Sequence, residues 1–157
     1  MQINKSILAA QPFLKGMTEQ QLDLLGADSS PAEFRPGERI LSEGGVANRF
    51  YLIIEGQVEV ESRTFEGEAV TIETLGPGDV VGWSWLFPPC YWQFDARAVA
   101  HTKAICFYGT HLRKVCEENH DIGYELMKRI SEIVIKRLQS VRRKLVEHNN
   151  NLISPPG

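Results

Sequence analysis

From Ala32 to Tyr108 the apolar residues come in short runs, punctuated by glycine at Pro36-Gly37, Gly44-Gly45, Gly56, Gly67, Gly76-Pro77-Gly78 and Gly82. Glycine in a helix interior costs about 1 kcal/mol relative to alanine, so this spacing excludes long helices across the middle of the chain. The segments between the glycines alternate instead. Gln57-Val58-Glu59-Val60-Glu61-Ser62 places apolar and polar residues with period two, the pattern of a half-buried strand. Arg49 to Glu55, Ala69 to Leu75, Asp95 to His101 and Lys103 to Tyr108 read the same way. Six to eight short strands at such spacing predict an antiparallel sandwich, jelly roll or barrel. Strands do not alternate with helices here, which argues against a nucleotide-binding α/β fold.

Both flanks are helical. In residues 1–30, Thr18-Glu19-Gln20-Gln21 fits a capping box that opens a short helix through Leu22, Leu24 and Leu25 and stops between Gly26 and Pro31. After the strands, Thr110 to Glu118 reads as a short helix and Asp121 to about Asn149 as a long one. A helix of that size is about 43 Å long, more than a small domain is wide, so its far half needs a partner. Met127, Val134 and Val141 recur every seven residues, with Ser131, Leu138 and Leu145 as a second row. Two such rows form the seam of a coiled coil and predict a homodimer, with Lys136, Arg137, Arg142 and Arg143 outside or on its flanks.

Composition removes several classes. At 157 residues, 43% hydrophobic and 24% charged, the chain reads as one globular domain over 1–157, with strands over 32–108 and C-terminal helices over 110–149. A net charge of −3 gives no global attraction to nucleic acid. The long helix carries seven basic residues against four acidic ones, which reads as a solvated outer face. The longest uncharged stretch, Val80 to Phe94, is too short and too broken by Pro88-Pro89 to cross a bilayer, and no secretory leader is visible. Three cysteines (Cys90, Cys106, Cys116) without a close pair suit a reducing cytoplasm.

Three motifs, in order, resemble the cyclic nucleotide-binding domain of the superfamily of catabolite activators, FNR-like regulators and protein kinase A regulatory subunits. They are Phe34-Arg35-Pro36-Gly37-Glu38 with Glu43-Gly44, Phe50-Tyr51-Leu52-Ile53-Ile54-Glu55-Gly56-Gln57-Val58, and Leu75-Gly76-Pro77-Gly78-Asp79-Val80-Val81-Gly82. The resemblance covers roughly residues 6 to 148. It implies a mainly β fold, a double-stranded β-helix or jelly-roll β-roll with N-terminal helices and a long C-terminal helix. It also implies a non-enzymatic, ligand-sensing regulatory role exerted through an unidentified partner protein.

The chain departs from that pattern at the phosphate-binding cassette. Members that bind cyclic nucleotides carry Gly-Glu there, for the ribose hydroxyl, and an arginine about ten residues on, for the phosphate. Here Trp83 follows Gly82, and the arginine position falls on Phe94. Six of the fourteen aromatic residues (Trp83, Trp85, Phe87, Tyr91, Trp92, Phe94) crowd into this stretch. A buried phosphate needs a cation or several donors, and an aromatic cluster supplies neither. Gly82 is where a phosphate would approach bare backbone. Arg97, three residues late, is either a substitute cation or the partner of Asp95, two residues away on the same strand face.

The ligand-pocket candidates are therefore Gly82, Trp83, Ser84, Trp85, Phe94 and Arg97. One expectation is a pocket filled by its own aromatics. Another is a flat ligand stacked on Trp83, Trp85 or Trp92. A third is a cyclic nucleotide held by Arg97 and backbone amides.

Other chemistries fit less well. Gly82-Trp83-Ser84-Trp85-Leu86 lacks the last glycine of a nucleophile elbow, and Phe87-Pro88-Pro89 cannot continue the helix such an elbow needs. A cupin-like metal enzyme would share the strands, but His101, His111, His120 and His148 are scattered, so no catalytic or metal residue is expected. No cofactor is expected beyond a small ligand in the roll. Transcription factors of the resembled superfamily place a DNA reader after the long helix. The sequence stops eight residues beyond Asn149, so specific DNA binding is not expected.

Overall fold

The computed structural model describes residues 3–83, 85 and 90–153. The N-terminal segment forms helix α1 (Lys5–Ala9), a single 3-10 turn (Pro12–Leu14) and helix α2 (Glu19–Gly26). The capping box is present at α2. Gln21 N–H donates to Thr18 Oγ1 at 3.1 Å, and Thr18 N–H donates to Gln21 Oε1 at 3.0 Å. Leu8, Leu14, Leu22 and Leu25 turn inward and close one end of the core.

Among the described residues eight strands follow: β1 (Ser30–Phe34), β2 (Arg39–Leu41), β3 (Arg49–Glu55), β4 (Val58–Arg63), β5 (Ala69–Leu75), β6 (Val80–Val81), β7 (Asp95–Ala98) and β8 (Thr102–Tyr108). They pair antiparallel in two four-stranded sheets, β1-β8-β3-β6 and β2-β7-β4-β5. The chain is mainly β, a jelly-roll with helices at both ends.

The core lies between the sheets. Leu52 and Ile53 of β3, Ile105 and Phe107 of β8, Val58 and Val60 of β4 and Ala96 of β7 all belong to one buried apolar cluster. Strand β1 begins where the helical reading of residues 1–30 ends. Pro31 looks like a break, yet β1 is an edge strand, where a missing N–H costs no ladder bond. Between β3 and β4, Gly56 has φ +106°, and a methyl group there would stand 2.5 Å from Thr102 Oγ1. No other residue fits that turn.

Helix α3 (Gly109–Glu118) leads to α4 (His120–Ile153), which is longer than the sequence pattern predicts. Gly123 lets the two approach, since a methyl group there would meet the Cys116 carbonyl at 3.3 Å. Helix α4 lays Ile122, Leu126, Ile130, Ile133 and Val134 against the core. Val141 reaches a notch beside Val70 and Ile72 of β5.

Two expectations about α4 change. Val134 and Val141 face their own chain, while the outward stripe is Tyr124, Met127, Ile135, Leu138 and Val146, and Leu145, though exposed, borders the same β5 notch as Val141. Arg137, expected outside, is only 5% exposed. It stands three residues after Val134 and seven after Ile130, so helical periodicity carries it inward.

Candidate functional site

The site is built where β6 ends. Gly82 has φ +89°, and its bare Cα faces the edge of the Trp92 indole. A methyl group on Gly82 would lie 2.9 Å from Trp92 Cζ3 and 3.0 Å from Cη2. On the other flank, a methyl group on Gly45 would meet Trp92 Cδ1 at 3.2 Å. The indole thus sits in a slot between two glycines.

The backbone holds the indole there. Trp92 N–H donates to the Gly45 carbonyl at 2.9 Å, and Gly44 N–H donates to the Trp92 carbonyl at 2.9 Å. An isolated bridge joins Val46 to Tyr91, and Ala47 N–H donates to the Cys90 carbonyl at 2.6 Å. Residues 90–92 are thereby zipped onto 44–47, which delivers the ring to Gly82.

Arg137 of α4 closes the same space from above. Its guanidinium stands 5.6 Å from the centre of the half-buried Phe94 ring, within the range of a cation–π contact. Arg137 Nε donates to Glu73 Oε2 on β5, joining the helix to the sheet. What is left is a cavity of about 20 Å³, lined by Leu41, Val81, Gly82, Trp83, Trp92, Asp95 and Arg137 among others. That is room for roughly one water molecule, whereas pockets for small ligands take about 300 to 1,000 Å³.

The six candidates divide. Gly82, Trp83 and Phe94 line the cavity. Trp85 does not: it is fully buried, stacked on Phe50 at 5.7 Å in the core beneath α3, and its carbonyl accepts from Arg113 Nη1 at 2.8 Å. Ser84 lies outside the described residues, as do Phe87, Pro88 and Pro89.

Arg97 points elsewhere. Its Nη2 donates to Glu61 Oε1 at 2.7 Å, with Glu59 Oε2 at 3.5 Å, and the Glu61 carboxylate holds the guanidinium above its ordinary pKa. Asp95, offered as its local partner, pairs with Arg63 Nε at 3.4 Å and accepts the Glu43 N–H at 2.7 Å. The sequence places Asp95 and Arg97 on one face, but cross-strand neighbours take both. Glu61 and Asp95 are both buried and directly opposite each other on β4 and β7, so each needs its own cation.

Arg137 is the lining side chain that the sequence reading leaves out of its candidates altogether, and Trp92, read there as a stacking platform for a flat ligand, is the ring that lies over Gly82. Gly45 and Gly82 around one tryptophan, and the inward stripe of α4, are the signals that point to them.

Elsewhere, His111 Nε2 lies 2.8 Å from the Leu24 carbonyl, and His101 lies 3.7 Å from Glu33. Among the described residues no three His, Cys, Asp or Glu side chains gather to hold a metal, and no helix is long and apolar enough to cross a membrane. Burial pushes the Cys106 and Cys116 thiols up.

The family model of the cyclic nucleotide-binding domain matches residues 31–119, more than half of the chain, from within β1 to the end of α3. The chain belongs to this family. Among its cyclic nucleotide-binding relatives is a CRP-like cAMP-activated global transcriptional regulator of Mycobacterium tuberculosis, 25% identical over 93% of this chain. The chain spans 60% of that regulator's length. A putative cyclic nucleotide-binding protein from Geobacter metallireducens superposes with a TM-score of 0.76 at 28% identity, covering 87% of this chain and 98% of that one. The regulatory subunit of a cAMP-independent protein kinase A from Trypanosoma cruzi, bound to guanosine, is 27% identical with a TM-score of 0.63. That comparison covers 76% of this chain and 46% of the subunit.

Proposed function

We propose that the chain is a non-enzymatic regulatory module whose roll does not hold cyclic AMP or cyclic GMP by the cyclic phosphate. One observation carries this reading: the Trp92 ring occupies the close approach to Gly82 that a phosphate would use. The charges agree with it. Arg137, Arg63 and Arg97 are each committed to a carboxylate, and buried Asp95 forms part of the cavity wall. A phosphate would have to break one of these pairs and sit beside an acid, a cost of several kcal/mol.

The relatives include both modes of use. The Mycobacterium tuberculosis protein is cAMP-activated by name, while the Trypanosoma cruzi subunit is cAMP-independent and holds guanosine, a nucleoside without phosphate. The present cassette, with Trp83 and Phe94 in place of glutamate and arginine, fits the second better.

Output passes through α4. The helix carries Arg137 into the roll on one face and an exposed apolar stripe on the other. That stripe fits a parallel homodimer, in which a change at the pocket would tilt both helices together.

Calorimetric titration with cyclic AMP and with cyclic GMP tests the reading. No saturable heat is expected through the millimolar range. A micromolar dissociation constant for either nucleotide overturns it.

A further inference from the structure

The hairpin that joins β4 to β5 carries a large apolar side chain for which its own chain has no use. Gly67 N–H donates to the Thr64 carbonyl at 2.9 Å, Thr64 N–H donates to the Glu68 carbonyl at 2.9 Å, and Gly67 takes φ +85°. Arg63 Nη1 adds a hydrogen bond to the Gly67 carbonyl at 3.1 Å. The result is a tight reversal closed by a glycine in the left-handed region. Phe65 stands at its tip, fully exposed. Such a turn needs no aromatic residue, since proline and short polar side chains suit it better. Glu66 and Glu68 beside it are exposed, and their carboxylates meet no cation among the described residues.

The far end of α4 offers the complement. Gln139, Arg142, Arg143, Val146 and Glu147 line a depression on its flank. Arg142 and Arg143 are exposed and pair with no carboxylate among the described residues, whereas Glu147 stands 3.9 Å from Lys144. An α-helix turns about 100° per residue. Val141, Lys144, Leu145 and His148, which border the chain's own hairpin, therefore lie on one side of α4, and the depression lies on the opposite side at the same height. Ile135 and Leu138 of the exposed stripe fall between the two. A two-fold axis parallel to α4 along that stripe reverses directions across the helix and leaves heights unchanged. It brings a second copy's hairpin to the side of the depression.

We infer that the β4–β5 hairpin of each copy clasps α4 of a second copy of this chain, with Phe65 seated against Val146 and the stem of Arg142, and with Glu66 and Glu68 facing Arg142 and Arg143. The inference rests on the preceding reading that α4 pairs in parallel, and it adds a contact made by a different element. An acidic, aromatic tip meets a basic, apolar flank, so charge and shape agree. The clasp also fixes the register of the pair, because a slip of one helix along the other would part the tip from the depression. Each roll is thereby tied to its partner's helix as well as to its own.

Sedimentation equilibrium of the full chain reads the dimer dissociation constant. Phe65→Ser is expected to raise it about tenfold or more, since two phenylalanines leave the interface together. Circular dichroism is expected to stay unchanged, because the side chain is fully exposed in the single chain. Glu66→Lys with Glu68→Lys is expected to raise the constant at low salt, and adding Arg142→Glu with Arg143→Glu to lower it again. Cross-linking reads the placement. Phe65→Cys with Val146→Cys, oxidised with diamide, is expected to give a covalent dimer that neither single variant gives. An unchanged constant in Phe65→Ser, or no cross-link in the double-cysteine variant, overturns the clasp while the native dimer stands, and leaves Phe65 to a different partner. A native chain that stays monomeric overturns the pairing of α4, and the clasp with it.

Discussion

Trp92→Ala is expected to lower the unfolding midpoint by about 10 °C. The side chain is buried, wedged between Gly45 and Gly82, and packed into the main core. Removing a buried tryptophan costs about 3–5 kcal/mol, because the lost contacts are compounded by a cavity that rigid surroundings cannot fill. In a chain of this size each kcal/mol moves the midpoint by about 2–4 °C. One wall of the slot, Gly45, is backbone fixed by hydrogen bonds to the Ser42 carbonyl and the Trp92 N–H, so collapse is limited and the upper part of the range applies. Differential scanning calorimetry checks the value. A shift below about 3 °C would mean that the ring is not clamped as described.

Replacing Leu138 and Leu145 together with glutamate is expected to turn a dimer into a monomer of 17.7 kDa in multi-angle light scattering. Both leucines are exposed in the single chain, at 66% and 59%, with Leu145 at the rim of the notch beside β5, so two charges there leave the buried core intact. In a paired helix the same positions face each other, and like charges in an apolar seam are strongly unfavourable. Val134 is unsuitable for this test. It packs against the chain's own core, and its loss would confuse dissociation with unfolding. Unchanged dimer mass in the double variant, with unchanged circular dichroism, would remove α4 as the interface.

How far the sequence could be read depended on the range of the interactions involved. The capping box at Thr18 and Gln21 and the alternation in β4 are local, and both are found as written. Strand β1 was hidden because Pro31 is read as a break wherever it occurs, whereas an edge position in a sheet tolerates it. Two-residue β6 is too short to show a period. In the cassette, the aromatic cluster announced that the phosphate cradle was altered. It could not say which ring fills it. Trp85 and Trp92 look alike in sequence, and only the tertiary fold sends the first under α3 and the second over Gly82.

Arg137 shows the opposite limit. Reading α4 as a two-helix seam assigned its faces from a heptad, and the helix has another obligation to the roll beneath it. The inward stripe follows Ile122, Leu126, Ile130 and Ile133, and Arg137 continues that line. A charged residue on such a stripe is normally expected outside. Here Glu73 on β5 and the Phe94 ring receive it.

A ring over Gly82 and a guanidinium bolted to Glu73 close the place where a cyclic phosphate would sit. The most direct test is a crystal structure of the chain grown in saturating cyclic AMP. Trp92 is expected in its slot, Arg137 on Glu73 and no nucleotide density in the roll. A cyclic nucleotide with its phosphate against the Gly82 backbone, and Trp92 displaced, would contradict it.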